Sequence, residues 1–282
     1  MNIRLVEEIV RRALDEDIGT GDITTEATVP AQLRAKAQMI VKSEGVIAGL
    51  PVVETVFRLI DSQVSVTRLV AEGSKVAAGT AAAQIEGPAR AIVTGERVAL
   101  NFLQRLSGIA TMANQATEQL RFYPTRVVGT RKTTPGLRVL EKYAIRVGGA
   151  GNHRYGLYDA VLIKDNHIRL AGGIKEAVVA ARKLAPFTMK IEVETENLDQ
   201  VKQALEAGAD VIMLDNMEPE EMKKAVALIG NKALTEASGT ITLDKLAEVA
   251  KTGVNFISMG ALTHSARALD ISLEVVEKAE YR

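Results

Sequence analysis

From Pro124 onward, short apolar runs alternate with helical patterns, and that rhythm restricts the fold more than anything else in the sequence. The apolar runs fall at 126–129, 160–163, 189–193, 211–214, 233–235 and 254–257. Between them, apolar residues recur at helical spacing over 137–147, 174–184, 198–207, 219–229 and 243–251. Strand–helix alternation of this kind predicts parallel βα units. Because the series is unbroken, a closed or nearly closed α/β barrel fits better than an open sheet. Six strands are readable, and a seventh or eighth is not.

The residues at the end of each apolar run are chemically pointed. The runs lead, in order, into Arg131-Lys132, Lys164-Asp165-Asn166-His167, Glu194, Asp215-Asn216, Glu236-Ala237-Ser238-Gly239-Thr240 and Ser258-Met259-Gly260-Ala261. In α/β barrels the C-terminal strand ends form the active-site mouth. Any one polar strand end reads equally well as a helix cap, but six together predict a site. The glycine loops around Ser238-Gly239 and Gly260 suit a phosphate, since backbone N–H groups there face an anion. Glu194 and Asp215 are candidates for a magnesium ion held through waters. Arg131, Lys132, His153 and Arg154 are candidates for carboxylates.

Charge supports an anionic ligand. Between Arg131 and Arg169 cations outnumber acids by five, whereas the whole chain carries 35 basic and 35 acidic residues and a formal net charge of zero. A neutral chain has no global field to recruit nucleic acid or an anionic membrane surface, so anion selectivity must be local. There is no cysteine, which excludes disulfides, thiolate nucleophiles and Cys-ligated metals. No secretory segment or membrane-length apolar run is present, and a cytoplasmic location is expected.

The first hundred residues read as a small α+β domain. Helices are predicted at 4–14 and 51–60, the second opened by Pro51, and strands at 34–42 and 63–70. The segment 15–22 reads as a solvated turn. Residues 72–87 resemble the hairpins of biotinyl and lipoyl carrier domains, but no lysine sits at a tight tip, so a structural β-hairpin is expected. A long helix over 95–120 comes next, with Gly108 as a possible bend. Arg97 lies near its start and, from position alone, reads as a solvated first-turn arginine.

At Thr130-Arg131-Lys132-Thr133-Thr134-Pro135-Gly136-Leu137-Arg138 the sequence closely resembles the quinolinate phosphoribosyltransferases, also called nicotinate-nucleotide diphosphorylases (carboxylating). The resemblance spans essentially the full length. It includes 16–25, 96–103 with 107–111, Asn152-His153-Arg154, Lys164-Asp165-Asn166-His167-Ile168, Glu192-Val193-Glu194, 214–217, Glu236-Ala237-Ser238-Gly239 and 260–265. It implies a type II phosphoribosyltransferase fold: an N-terminal α/β sandwich domain over 1–108 and an incomplete, seven-stranded α/β barrel over 109–267, with 268–282 returning to the first domain. It implies a homodimer with shared active sites, larger assemblies being open, in which Arg97 reaches the partner's site.

The implied reaction joins quinolinate to 5-phosphoribosyl 1-diphosphate with Mg²⁺, giving nicotinate mononucleotide, diphosphate and carbon dioxide in NAD biosynthesis. The resemblance assigns quinolinate binding to Arg97, Arg131, Lys132, His153 and Arg154, and the diphosphate and reacting centre to Lys132 and Lys164. Glu194 and Asp215 take the ribose hydroxyls and hydrated metal, and Ser238, Gly239 and Gly260 the 5-phosphate. The sequence departs from the family pattern at Ala150 and Thr240, both small changes. Alternatives are a pyrophosphorylase-like relative with another acceptor, a barrel aldolase using Lys164 as a Schiff base, and a non-catalytic anion-binding protein.

Overall fold

Helix α1 (Ile3–Ile18) buries Val6, Val10 and Leu14, residues four apart that share one face of the helix. Asn2 closes its N-terminus by accepting from the Arg4 N–H. In the computed structural model, which describes residues 1–279, this helix continues through Asp15, Glu16 and Asp17. The first half of the segment predicted as a turn, 15–18, is therefore helical, and only 19–22 lie outside the helices. Helix α2 (Ile23–Thr28) comes next, capped by Asp22, whose carboxylate accepts from the Thr25 N–H at 2.9 Å and the Thr94 hydroxyl at 3.0 Å.

The chain goes on through β1 (Arg34–Val41), β2 (Gly45–Val46), α3 (Leu50–Ile60), β3 (Ser65–Arg68), β4 (Lys75–Val76), β5 (Ala81–Pro88) and α4 (Ala89–Gln119). The expected hairpin over 72–87 does not form. β4 pairs with β2, and β5 lies between β1 and β3. β5 carries buried Ala82, Ala83 and Ile85, which suit a central position better than a peripheral hairpin arm. The first two backbone N–H groups at the start of α3 are satisfied from a distance, because the Glu72 carboxylate accepts from Gly49 and Leu50. Helix α4 passes through Gly108 without a break. A Cβ there would collide with the Arg267 carbonyl, so this glycine serves close backbone approach and not a bend.

Two compact units emerge. The first comprises Met1–Asn114, Thr134–Gly149 and the segment beginning at Ser265. It includes α5 (Arg138–Val147) and takes the last strand, β13 (Ile271–Ala279), into an antiparallel sheet of order β13-β1-β5-β3. Of the 268–282 segment expected to return here, residues 280–282 lie outside the described residues. Alternate residues of β1 (Ala35, Ala37, Met39, Val41) face the core.

The second unit comprises Gln115–Thr133 and Ala150–His264. Its strands are β6 (Arg126–Gly129), β7 (Gly151–Asn152), β8 (Val161–Ile163), β9 (Ile191–Thr195), β10 (Val211–Asp215), β11 (Leu234–Ser238) and β12 (Phe256–Met259). Its helices are α6 (Asp165–Ala171), α7 (Ile174–Leu184), α8 (Leu198–Glu206), α9 (Pro219–Ile229), α10 (Leu246–Ala250) and the short α11 (Ala261–His264). The seven strands form a parallel sheet of order β7-β6-β12-β11-β10-β9-β8. β7 and β8 are its two edges, so the barrel is incomplete, as expected. β7 is the strand that the apolar rhythm does not reveal: two residues, one of them glycine, carry no apolar signal.

Candidate active site

Strand alternation sets the site. In β9, Ile191, Val193 and Thr195 are buried on one face, and Glu192 and Glu194 point to the other. The ladder places Met213 of β10 opposite both Glu194 and Glu236, and Asp215 opposite Ser238. Polar side chains near the strand ends thus gather round one cavity of about 500 Å³ at the C-terminal end of the barrel. Arg131, Lys132, His153, Arg154, Lys164, Glu194, Asp215, Ser238, Gly239 and Gly260 all line it. Arg97 is exposed on α4 in the other unit and is not among the lining residues.

The cationic side is built from β6 and β7. His153 N–H continues the ladder by donating to the Gly129 carbonyl at 2.9 Å, which sets His153 and Arg154 beside Arg131 and Lys132. The Thr263 hydroxyl donates to the Lys132 carbonyl at 2.7 Å. Gly260 lies against the Lys132 side chain so closely that a Cβ would press on it. The Nε–H groups of Arg131 and Arg154 are both buried and have no hydrogen-bond partner among the described residues. A buried, unpaired guanidinium N–H costs free energy unless a ligand accepts it. Burial and the neighbouring Arg131 both depress the pKa of Arg154, as expected for two cations held together until an anion arrives.

The acidic side is built from β9 and β10. Lys164 Nζ donates to Glu194 Oε2 at 2.6 Å. Asp215 Oδ2 accepts from Asn216 Nδ2 at 2.7 Å. Asn216 is the one non-glycine residue with positive φ (52°) among the described residues, a conformation that asparagine tolerates best. Gly239 has φ 127°, and a Cβ there would meet Asn216 Oδ1, so only glycine fits the turn after β11. Two carboxylates on neighbouring strands, one paired with a lysine, match the few protein ligands that Mg²⁺ takes when it keeps waters and substrate phosphates. Lys164 is about half exposed within an ion pair, unlike the desolvated lysine of a Schiff-base enzyme.

Two glutamates within the family-like motifs have no role in the sequence reading. Glu192 and Glu236 lie deep in the barrel beside His153: His153 Nε2 is 2.7 Å from Glu192 Oε2 and 3.7 Å from Glu236 Oε2. Burial, and then the charge of Glu192, push the Glu236 carboxyl up to about 7. Burial lowers the pKa of His153, but the Glu192 hydrogen bond and the two acids outweigh it and raise it overall. A sequence signal existed: Glu192 shares the inward face of β9 with Glu194, two residues on. Thr240 lines the cavity, and Ala150 is buried before β7. Neither departure removes a charged group from the site.

Comparisons with known proteins identify the family. Residues 22–107 match the family description "Quinolinate phosphoribosyl transferase, N-terminal domain", and 109–274 match the corresponding C-terminal domain. The chain is 46% identical over 275 residues to the probable nicotinate-nucleotide pyrophosphorylase [carboxylating] of Bacillus subtilis, covering 98% of this chain and 95% of that one. The corresponding protein of Synechocystis is 47% identical over 275 residues, covering 96% and 93%. The solved nicotinate-nucleotide pyrophosphorylase of Francisella tularensis superposes with a TM-score of 0.94 at 42% identity, covering 98% of this chain and 97% of that one. No helix among the described residues is long and apolar enough to cross a membrane. The chain belongs to the quinolinate phosphoribosyltransferase family, a family of phosphoribosyl-transferring enzymes.

Proposed function

We propose that the protein transfers the phosphoribosyl group of 5-phosphoribosyl 1-diphosphate to the ring nitrogen of quinolinate, yielding nicotinate mononucleotide, diphosphate and carbon dioxide. The observation that carries this reading is the pair of buried, unpartnered arginine Nε–H groups at Arg131 and Arg154. The two arginines line a cavity whose other wall carries Lys164, Glu194 and Asp215. Two adjacent guanidinium groups suit a vicinal dicarboxylate better than a single carboxylate.

The chemistry needs positioning and charge more than covalent catalysis. Arg131, Lys132 and Arg154 hold the acceptor's carboxylates near the sugar. Lys164 and Lys132 balance the charge that grows on the departing diphosphate. As the C1–oxygen bond breaks, positive charge develops at the anomeric carbon, and Glu194 and Asp215, through the ribose hydroxyls, steady it. The ring nitrogen then supplies its lone pair to C1. Only the resulting pyridinium stabilises the carbanion left when the bond to the 2-carboxylate breaks, so glycosyl transfer precedes decarboxylation, and C2 takes up a proton from water. Ser238, Gly239 and Gly260 cradle the 5-phosphate. Mg²⁺, held by Glu194 and Asp215 through water, would neutralise diphosphate charge. The working unit is a homodimer in which Arg97 completes the partner's site, and the setting is cytoplasmic NAD synthesis.

Incubation with phosphoribosyl diphosphate, Mg²⁺ and either quinolinate or nicotinate separates this reading from a relative with another acceptor. Product is expected from quinolinate. Product from nicotinate alone, without carbon dioxide, would overturn it.

A further inference from the structure

Glu192 and Glu236 are 6% and 4% exposed, and no step of the proposed reaction uses them. Buried charges persist only where something compensates them, so their role has to be found in what they touch. Both face His153 Nε2. The other ring nitrogen, Nδ1, accepts the backbone N–H of Arg154 at 2.8 Å. A neutral imidazole that accepts at Nδ1 carries its hydrogen on Nε2, so the ring donates to Glu192. A second proton on Nδ1 would point at the Arg154 N–H and break that bond.

These three side chains also have the composition of a metal site, with ligand atoms within 4.8 Å of one another. The hydrogen bonding argues against that use. A histidine that binds metal through Nε2 donates from its other nitrogen, whereas here Nδ1 accepts.

The topology explains why such an anchor is needed. β7 is two residues long and lies at one edge of the sheet, with β8 at the other edge and no ladder between them. Across this gap Arg154 Nη1 donates to the Ala160 carbonyl at 3.0 Å. The intervening loop is folded back by Asp159, which accepts from the Tyr155 and Gly156 N–H groups at 2.7 and 2.8 Å. His153–Glu192 is a second tie across the same gap, joining the end of β7 to β9.

We propose that Glu192 and Glu236 are positioning residues that hold His153 as its Nε2–H tautomer and thereby fix the backbone of Arg154 and the aim of its guanidinium across the open edge of the barrel. His153 then acts through Arg154, with both ring nitrogens engaged by the protein. The consequence for the quinolinate carboxylate rests on the proposed function; the tautomer does not.

The test reads the two separately. In protein carrying ¹⁵N-labelled histidine, long-range ¹H–¹⁵N spectra report the tautomer of each of the three histidines, with His153→Gln identifying the relevant signal. Recorded at alkaline pH, where the ring is neutral, the expected spectrum has a bare Nδ1 and a protonated Nε2 at His153. In kinetics, Glu192→Leu is expected to raise the quinolinate KM at least about tenfold while the phosphoribosyl diphosphate KM stays within about twofold; Glu192→Gln, which still accepts from Nε2–H, recovers most of the loss. At that pH, a proton on Nδ1 in place of Nε2 in the wild type overturns the proposal whether or not any variant folds. So does an unchanged quinolinate KM in Glu192→Leu, or a loss in both KM values in step with lowered thermal stability. A wild type that turns over no quinolinate refutes the proposed function instead, and the spectrum still decides the tautomer.

Discussion

Replacing Glu236 with glutamine changes one proton-binding group and almost no volume, so its effect comes from the electrostatics of the barrel interior. The carboxyl rises from an ordinary value of 4.5 to about 7 because it is buried beside Glu192. A carboxyl raised on folding binds its proton more tightly in the native state than in the unfolded chain. Stability therefore falls as pH rises from 4.5 to about 7. At roughly 1.4 kcal/mol per pKa unit, the full loss approaches about 3 kcal/mol, less whatever Glu192 and His153 absorb by sharing the proton. Glutamine mimics the protonated acid and removes the dependence. At ~2–3 °C per kcal/mol for a chain of this size, Glu236→Gln should melt several degrees above wild type near pH 8.5 and about level with it near pH 5. His153, whose pKa is also raised, adds stability below 6.5 that is lost as pH rises through its folded value, the same sign, and leaves a residual slope in the variant. Thermal unfolding by circular dichroism across this range is the assay. A melting difference that does not change with pH, or a variant less stable than wild type at high pH, refutes the assignment of a buried, proton-holding Glu236.

Three further outcomes are expected. Lys164→Ala should lower turnover by about 10²–10³-fold while the circular dichroism spectrum stays native, because Lys164 pairs with Glu194 at the cavity wall and not with the core; wild-type turnover would remove Lys164 from the reaction. Gly108→Ala should cost about 1–3 kcal/mol, since its methyl group would strike the Arg267 carbonyl, and an unchanged melting temperature would contradict that packing. Arg97→Ala and Lys164→Ala, each inactive alone, should together regain about a quarter of wild-type activity after random subunit exchange, as half the dimers then hold one complete site; no recovery after verified exchange argues against sharing.

Much of the barrel was legible because its parallel strands are apolar in their cores and polar at their C-terminal ends. That contrast makes Arg131, Lys164, Glu194, Asp215 and Ser238 stand out in the sequence, and all of them line one cavity. β7 was not legible, since Gly151–Asn152 is defined by its pairing with β6 and not by side chains. The 72–87 segment misled because turn chemistry suggests a hairpin locally, whereas the pairing of β5 with β1 and β3 is decided by burial in the whole sheet. Gly108 misled in a similar way: helix propensity penalises it, yet its neighbour at Arg267 lies 159 positions along the chain and is invisible to a local reading. The spacing of Glu192 from Glu194 marks it as inward-facing, but the joint role of Glu192 and Glu236 was not legible, because their partner His153 is brought to them only by the fold.

The most direct test of the reaction traces carbon dioxide from quinolinate labelled in its 2-carboxylate. Label release is predicted to be equimolar with diphosphate, and to occur only when phosphoribosyl diphosphate is present, because the glycosylated ring must form before the carboxylate can leave. Label released without phosphoribosyl diphosphate, or diphosphate formed without label, would contradict it.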